Sequence, residues 1–132
     1  RNTLQPLAFY MLNPEHSAAD YMVELENAEN FTIYGVKSET IGAGGPRELT
    51  AFRISRARRF AIYGHGGNAS AAPGQPLYLI ERSSRFALAN FTYQFFKQAT
   101  PAEKWYLVTE RLPDGRQVHI PATEFFTVYK RD

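Results

Sequence analysis

The sequence predicts an α+β domain in which β dominates: an antiparallel sheet, barrel or sandwich of six or seven strands with one or two peripheral helices. Three observations carry that expectation. Short runs rich in Val, Ile, Thr, Phe and Tyr recur along the chain, bounded by Gly, Pro, Asn and Ser. Several of these runs are joined by very short links, which suit antiparallel neighbours, whereas parallel neighbours need crossovers. Two segments, 14–28 and 85–99, place apolar residues at helical spacing.

In chain order, LQPLAFYML (4–12) reads as a strand whose Pro6 suits an edge. Asn13-Pro14-Glu15 offers a helix cap, a first-turn proline and an acid. Behind it, Ala18, Tyr21, Met22, Leu25 and Ala28 share a helical face, although Tyr21, Val23 and Leu25 also alternate with Glu24 and Glu26 as in a strand. The Ala, Glu, Met and Leu content favours the helix. NFTIYGVKS is a strand, IGAGGPRE a glycine-rich loop, and LTAFRIS and RFAIYG are strands flanking Arg56–Arg59, a turn or a bulge. HGGNASAAPGQP is a small-residue loop and LYLIERS a further strand.

In SSRFALANFTYQFFKQA, Leu88, Phe91, Phe95 and Ala99 line a helical face, with Ser84 as a cap and Thr100-Pro101 as a stop. KWYLVTERL and VHIPATEFFTVYK around PDGRQ form the clearest hairpin, turned by Asp114-Gly115. With Trp105 and the Ile120-Pro121-Ala122 step, this hairpin resembles the closing strands of SH3-like barrels. No internal repeat is evident.

At 132 residues, 44% apolar and 14% aromatic, residues 1–132 are expected to be a single β-rich domain with a packed core. The start at Arg1 suggests a domain excised or processed from a longer precursor. No apolar run approaches the roughly 18 residues of a membrane-spanning helix. The chain has no cysteine, which excludes disulfides, thiol catalysis and cysteine-ligated metals. His16, His65 and His119 lack metal-motif spacing, so neither metal nor cofactor is expected.

The net charge of +2 conceals a polarity. Glu15, Asp20, Glu24, Glu26 and Glu29 fall in a stretch without Lys or Arg, while Arg53, Arg56, Arg58 and Arg59 fall in one without acids. Such opposed segments favour contact with each other or head-to-tail contact between copies.

RISRARRFAIYGHGGN therefore draws most attention. Its arginines have the fork that holds phosphate, Phe60 and Tyr63 offer stacking faces, and Arg47, Arg82 and Arg85 extend the patch if their strands lie alongside. The near balance of charge and the acidic stretch count against a nucleic-acid groove. His-Gly-Gly lacks an accompanying G-x-S-x-G nucleophile, and no phosphate loop of the G-x-x-x-x-G-K-[ST] type is present.

The expected function is that of a non-catalytic interaction domain. It would bind a protein partner or its own copies through Arg53, Arg56, Arg58, Arg59, Tyr63 and His65. Nucleic-acid binding is the alternative. A small metal-independent ribonuclease built from His65, His119, Glu48 or Glu110 and Arg56–Arg59 is the third reading.

Overall fold

The computed structural model describes residues 5–14, 19–39, 50–67, 70–91, 100–124 and 126–132. Among them are ten strands, one short 3-10 turn at Ala102–Lys104 and no α-helix. The strands are β1 (Leu7–Leu12), β2 (Tyr21–Glu26), β3 (Glu29–Lys37), β4 (Thr50–Ser55) and β5 (Arg58–Gly66), then β6 (Pro76–Glu81), β7 (Ser84–Phe91), β8 (Tyr106–Arg111), β9 (Gln117–Pro121) and β10 (Val128–Arg131). The first eight alternate between two five-stranded sheets, ordered β1-β3-β5-β7-β10 and β2-β4-β6-β8-β9. In each sheet every pair is parallel except the last, where β10 on β7 and β9 on β8 run antiparallel.

This corrects the expected α+β antiparallel sheet with helices. Each even strand and the odd strand after it, β2–β3, β4–β5 and β6–β7, make one rung of a flattened coil, and successive rungs stack in parallel. The short links misled because they turn a corner into the opposite sheet instead of returning beside the strand they leave. Asn27-Ala28, Arg56-Ala57 and Arg82-Ser83 are those corners, and Asn27, Arg56 and Arg82 take φ of 50°, 51° and 49°. Hydrogen bonding between rungs continues through them: Asn27 N–H donates to Ser55 O, Arg56 N–H to Glu81 O and Arg82 N–H to Arg111 O.

A structural repeat exists after all. NAENFTIYG, RARRFAIYG and RSSRFALAN occupy equivalent places, with Phe31 over Phe60 over Phe86 in register. Left-handed φ recurs at Asn30, Arg59 and Arg85, and again at Met11, Gly35, Gly64 and Asn90. The pairing register passes over that last set, so β1, β3, β5 and β7 each carry a bulge at the same point.

Both helical expectations are overturned. Residues 21–26 are β2, with Val23 and Leu25 over Phe52 and Ile54 and partly buried against the core. Residues 84–91 are β7, whose buried Phe86, Leu88 and Phe91 depart from strict alternation because the bulge at Asn90 shifts the phase by one. That shift brings Leu88 and Phe91 into the three-residue spacing of a helix. Residues 15–18 and 92–99, the rest of those two segments, lie outside the described residues, as does most of the IGAGGPRE loop. The Asp114-Gly115 hairpin is present as β8–β9. It closes a largely parallel sheet, and β10 crosses to the other sheet, so the likeness to an SH3-like barrel ends there.

The core lies between the sheets. Phe31, Phe60 and Phe86 stack at centroid separations of 5.0 and 5.0 Å, beside the buried Ile33, Ile62 and Leu88. Facing them from the second sheet are Phe52 and Tyr78, stacked at 4.7 Å, with Ile54, Ile80 and Val108. Parallel sheets normally need cover on both faces. Here each sheet covers the inner face of the other, and polar ladders occupy the outer faces. Among the described residues no helix is long and apolar enough to cross a membrane.

Candidate functional site

The six residues singled out in the sequence separate into four environments. Arg53 and Arg56 stand on the outer face and corner of the second sheet. Arg53 Nε donates to Glu81 at 2.8 Å and its NH1 to Glu24 at 2.5 Å, while Arg56 pairs with Glu26. Arg58 and Arg59 lie around the corner at the start of β5, and both grip Glu29, Arg58 Nε at 2.7 Å. The acidic and basic segments thus meet inside one molecule: the acids of the first rung sit beside the arginines of the second, strand for strand. Arg111 NH1 donates to Glu81 at 2.8 Å, extending an alternating Glu24–Arg53–Glu81–Arg111 line across four strands. Arg53's guanidinium also lies 5.5 Å from the Tyr21 ring centroid.

Tyr63 belongs to a row of tyrosines on the outer face of the first sheet. Tyr10 and Tyr34 stack at 5.3 Å and Tyr34 and Tyr63 at 5.7 Å. This row is the register of β1, β3 and β5 made visible, since parallel in-register strands place equivalent residues side by side.

His65 is core. The bulge at Gly64 turns its side chain inward, where Nε2 lies 2.6 Å from Ser38 Oγ and Nδ1 lies 2.7 Å from Tyr78 Oη. Burial pushes the imidazole pKa down to about 3 and raises the Tyr78 phenol well above its ordinary value. A serine–histidine contact of this length has the reach of a nucleophile and its base. All three groups are buried, however, so the relay joins the two sheets through a neutral imidazole. Close by, Gly67 lets the chain pass Ser38: a Cβ there would lie 2.2 Å from Ser38 O.

The remaining acid–base candidates occupy separate surroundings. His119 is exposed on β9, with Nδ1 3.0 Å from Thr109 Oγ1 and its ring 4.6 Å from that of Tyr106. Glu110 is fully buried and accepts hydrogen bonds from Arg131 Nε at 3.0 Å, Arg131 NH2 at 2.7 Å and the Tyr129 hydroxyl. Glu48, His16 and Arg47 lie outside the described residues.

Two features stand out from this geometry. The first is a depression of about 350 Å³ where the corners at Arg56 and Arg82 meet the β8–β9 hairpin. Arg53, Arg56, Arg82 and Arg111 line it with Ser55, Glu81 and Gln117. The sequence points to Arg82 as a neighbour of the basic segment. Arg111, Ser55 and Gln117 were missed, although an arginine recurs near each strand-to-corner step in SRAR, ERSSR and TERLPDGR.

The second feature is the end of the coil at β1 and β2, which is open among the described residues. Leu7 and Phe9 continue the inward ladders of Phe31 and Ile33 yet are 43% and 40% exposed, and Tyr10 and Met11 are 72% and 76% exposed. No family model, curated protein or solved structure matches the chain.

Proposed function

We propose that this chain is a non-catalytic assembly module that joins a second copy of itself through the open end of its coil, β1 pairing with β1. The observation that carries this reading is the composition of the edge strand. LAFYML bears no charge, no proline and four large exposed apolar or aromatic side chains. Edge strands that stay alone are normally short, charged or covered, because their unpaired N–H and C=O groups template another strand. The opposite end has such protection: β10 carries Lys130 and Arg131, and β9 ends in Pro121.

A second copy suits this edge for two reasons. An antiparallel β1–β1 contact about a two-fold axis removes both edges at once. The stacks also accept antiparallel strands as terminal members, as β9 and β10 do. The inward ladders ending at Leu7 and Phe9 would then be buried on both sides. The arginines of the basic segment already face Glu24, Glu26, Glu29 and Glu81 within the molecule, which favours the apolar edge over that surface as the adhesive element.

Sedimentation equilibrium tests the reading. Wild type is expected to associate to a dimer, while Leu7→Lys/Phe9→Lys is expected to sediment as a monomer with an unchanged far-ultraviolet spectrum. A monomeric wild type at every accessible concentration, or a double variant that associates equally well, removes the proposal.

A further inference from the structure

We propose that the depression formed by Arg53, Arg56, Arg82 and Arg111 is a binding site for a tetrahedral oxyanion, the terminal group of a phosphate or sulfate. Two independent observations meet there. Four guanidinium groups line it; Arg53, Arg56 and Arg111 share the carboxylates of Glu24, Glu26 and Glu81, whereas Arg82 makes no ion pair with any described residue. Ser55 Oγ, on the same outer face of β4 as Arg53, is buried and is the one buried side-chain polar atom among the described residues without a hydrogen-bond partner. A buried hydroxyl without a partner is costly, so its place in the same depression as the Arg82 guanidinium points to an acceptor-rich ligand.

The recruited groups follow from the stacking. Ser55 and Arg53 come from β4, Arg56 and Arg82 from successive corners, Arg111 from β8, and Gln117 from the hairpin's return strand. Each corner arginine projects from a backbone held at φ near 50°, so its direction is set by the turn. Arginine forks offer paired donors to adjacent oxygens of one phosphoryl or sulfuryl group, and the serine hydroxyl and Gln117 amide can add further donors. No aromatic ring lines the depression, so it recognises the charged group without a stacking platform for a base or sugar.

Glu81 gives the proposal a test with opposite signs. Its carboxylate bridges Arg53 and Arg111, so it competes with an incoming anion for the same donors. Inorganic phosphate and sodium sulfate, titrated at constant ionic strength against chloride and followed by amide chemical shifts, should give saturable changes centred on Ser55, Arg82 and Gln117. Arg82→Gln should weaken binding roughly tenfold and Ser55→Ala about threefold, while Glu81→Gln strengthens it.

Phenyl phosphate and phenyl sulfate separate the sources: tighter binding than the inorganic ions assigns the site to an esterified group, and weaker binding to the free ion. Shifts that do not saturate, that spread evenly over the exposed arginines, or that Arg82→Gln leaves unchanged overturn the site. Repeating the titration in Leu7→Lys/Phe9→Lys keeps the result separate from self-association.

Discussion

The two ends of the coil solve the same problem differently. Stacking parallel rungs leaves one strand edge on each sheet at each end. At the C-terminal end the chain folds back twice: β9 covers β8 and β10 covers β7, both antiparallel. Phe126 and Tyr129 close over the last rung, with Phe126 5.5 Å from Phe91 and Tyr129 6.0 Å from Phe86. Glu110 stands where Leu25, Ile54 and Ile80 stand in earlier rungs, and it ties β8 in one sheet to β10 in the other through Arg131 and Tyr129. Burial, and then the hydrogen bond to Glu110, push the Tyr129 phenol up to about 12.

At the N-terminal end β1 and β2 lack such cover among the described residues, and the apolar ladders run out at half-exposed side chains. A buried polar lock ends one side of the stack and an apolar edge ends the other. The lesson is that a stack of equal rungs acquires direction, and with it a place to be joined, from how its ends differ.

The largest expected effect sets the middle of the stack against its open end. Phe60→Ala removes a ring packed between two others and should cost about 3–5 kcal/mol, whereas Phe9→Ala, on a half-exposed ring, should cost under about 1 kcal/mol in the monomer. Urea unfolding of both variants in the Leu7→Lys background decides this. Equal losses would mean that β1 is as well covered as β5.

Next comes the lock. Glu110→Gln keeps the shape but removes the charge opposite Arg131, and should destabilise by roughly 2–3 kcal/mol. Arg131 is partly open to water, which holds the loss below that of a fully buried pair. Hydrogen exchange should quicken in β10 ahead of β5. A loss without selective exchange in β10 would show that Glu110 does not hold that end.

The third effect belongs to neither end. With His65 held neutral down to about pH 3 in the fold and titrating near 6.5 when unfolded, the unfolded state binds the extra proton between those values. Its contribution is complete above pH 6.5 and declines as pH falls towards 3, by roughly 2 kcal/mol between pH 6.5 and 5. Unfolding free energies measured across that range should lose this slope in His65→Phe. A slope identical to wild type would place the sensitivity elsewhere.

Much of the strand content was legible: the residues of β3, β4, β5 and β6 and the Asp114-Gly115 hairpin show their alternation or turn chemistry in a few neighbouring residues. The repeat was not, because its spacing is uneven. Leu7, Phe31, Phe60 and Phe86 stack although they stand 24, 29 and 26 residues apart, since the connections from odd to even strands differ in length. The bulge at Asn90 hid β7 behind a helical spacing, and nothing local in SRARR distinguishes a corner from a hairpin turn.

The amino-acid order by itself determined where most strands form, β2 and β7 excepted, and where the chain bends. It also determined that the chain carries an acidic stretch of five carboxylates and a basic stretch of four arginines, and no thiol chemistry. Those properties depend on side chains within a few positions of one another. Which strands pair, and so whether Arg53 faces Glu24 and Glu81 or solvent, was decided only by the tertiary structure. So were the burial of His65 between Ser38 and Tyr78 and the gathering of Arg53, Arg82 and Arg111 around Ser55. Each of these contacts joins successive rungs or opposite sheets, and only the stacked coil brings such distant residues together.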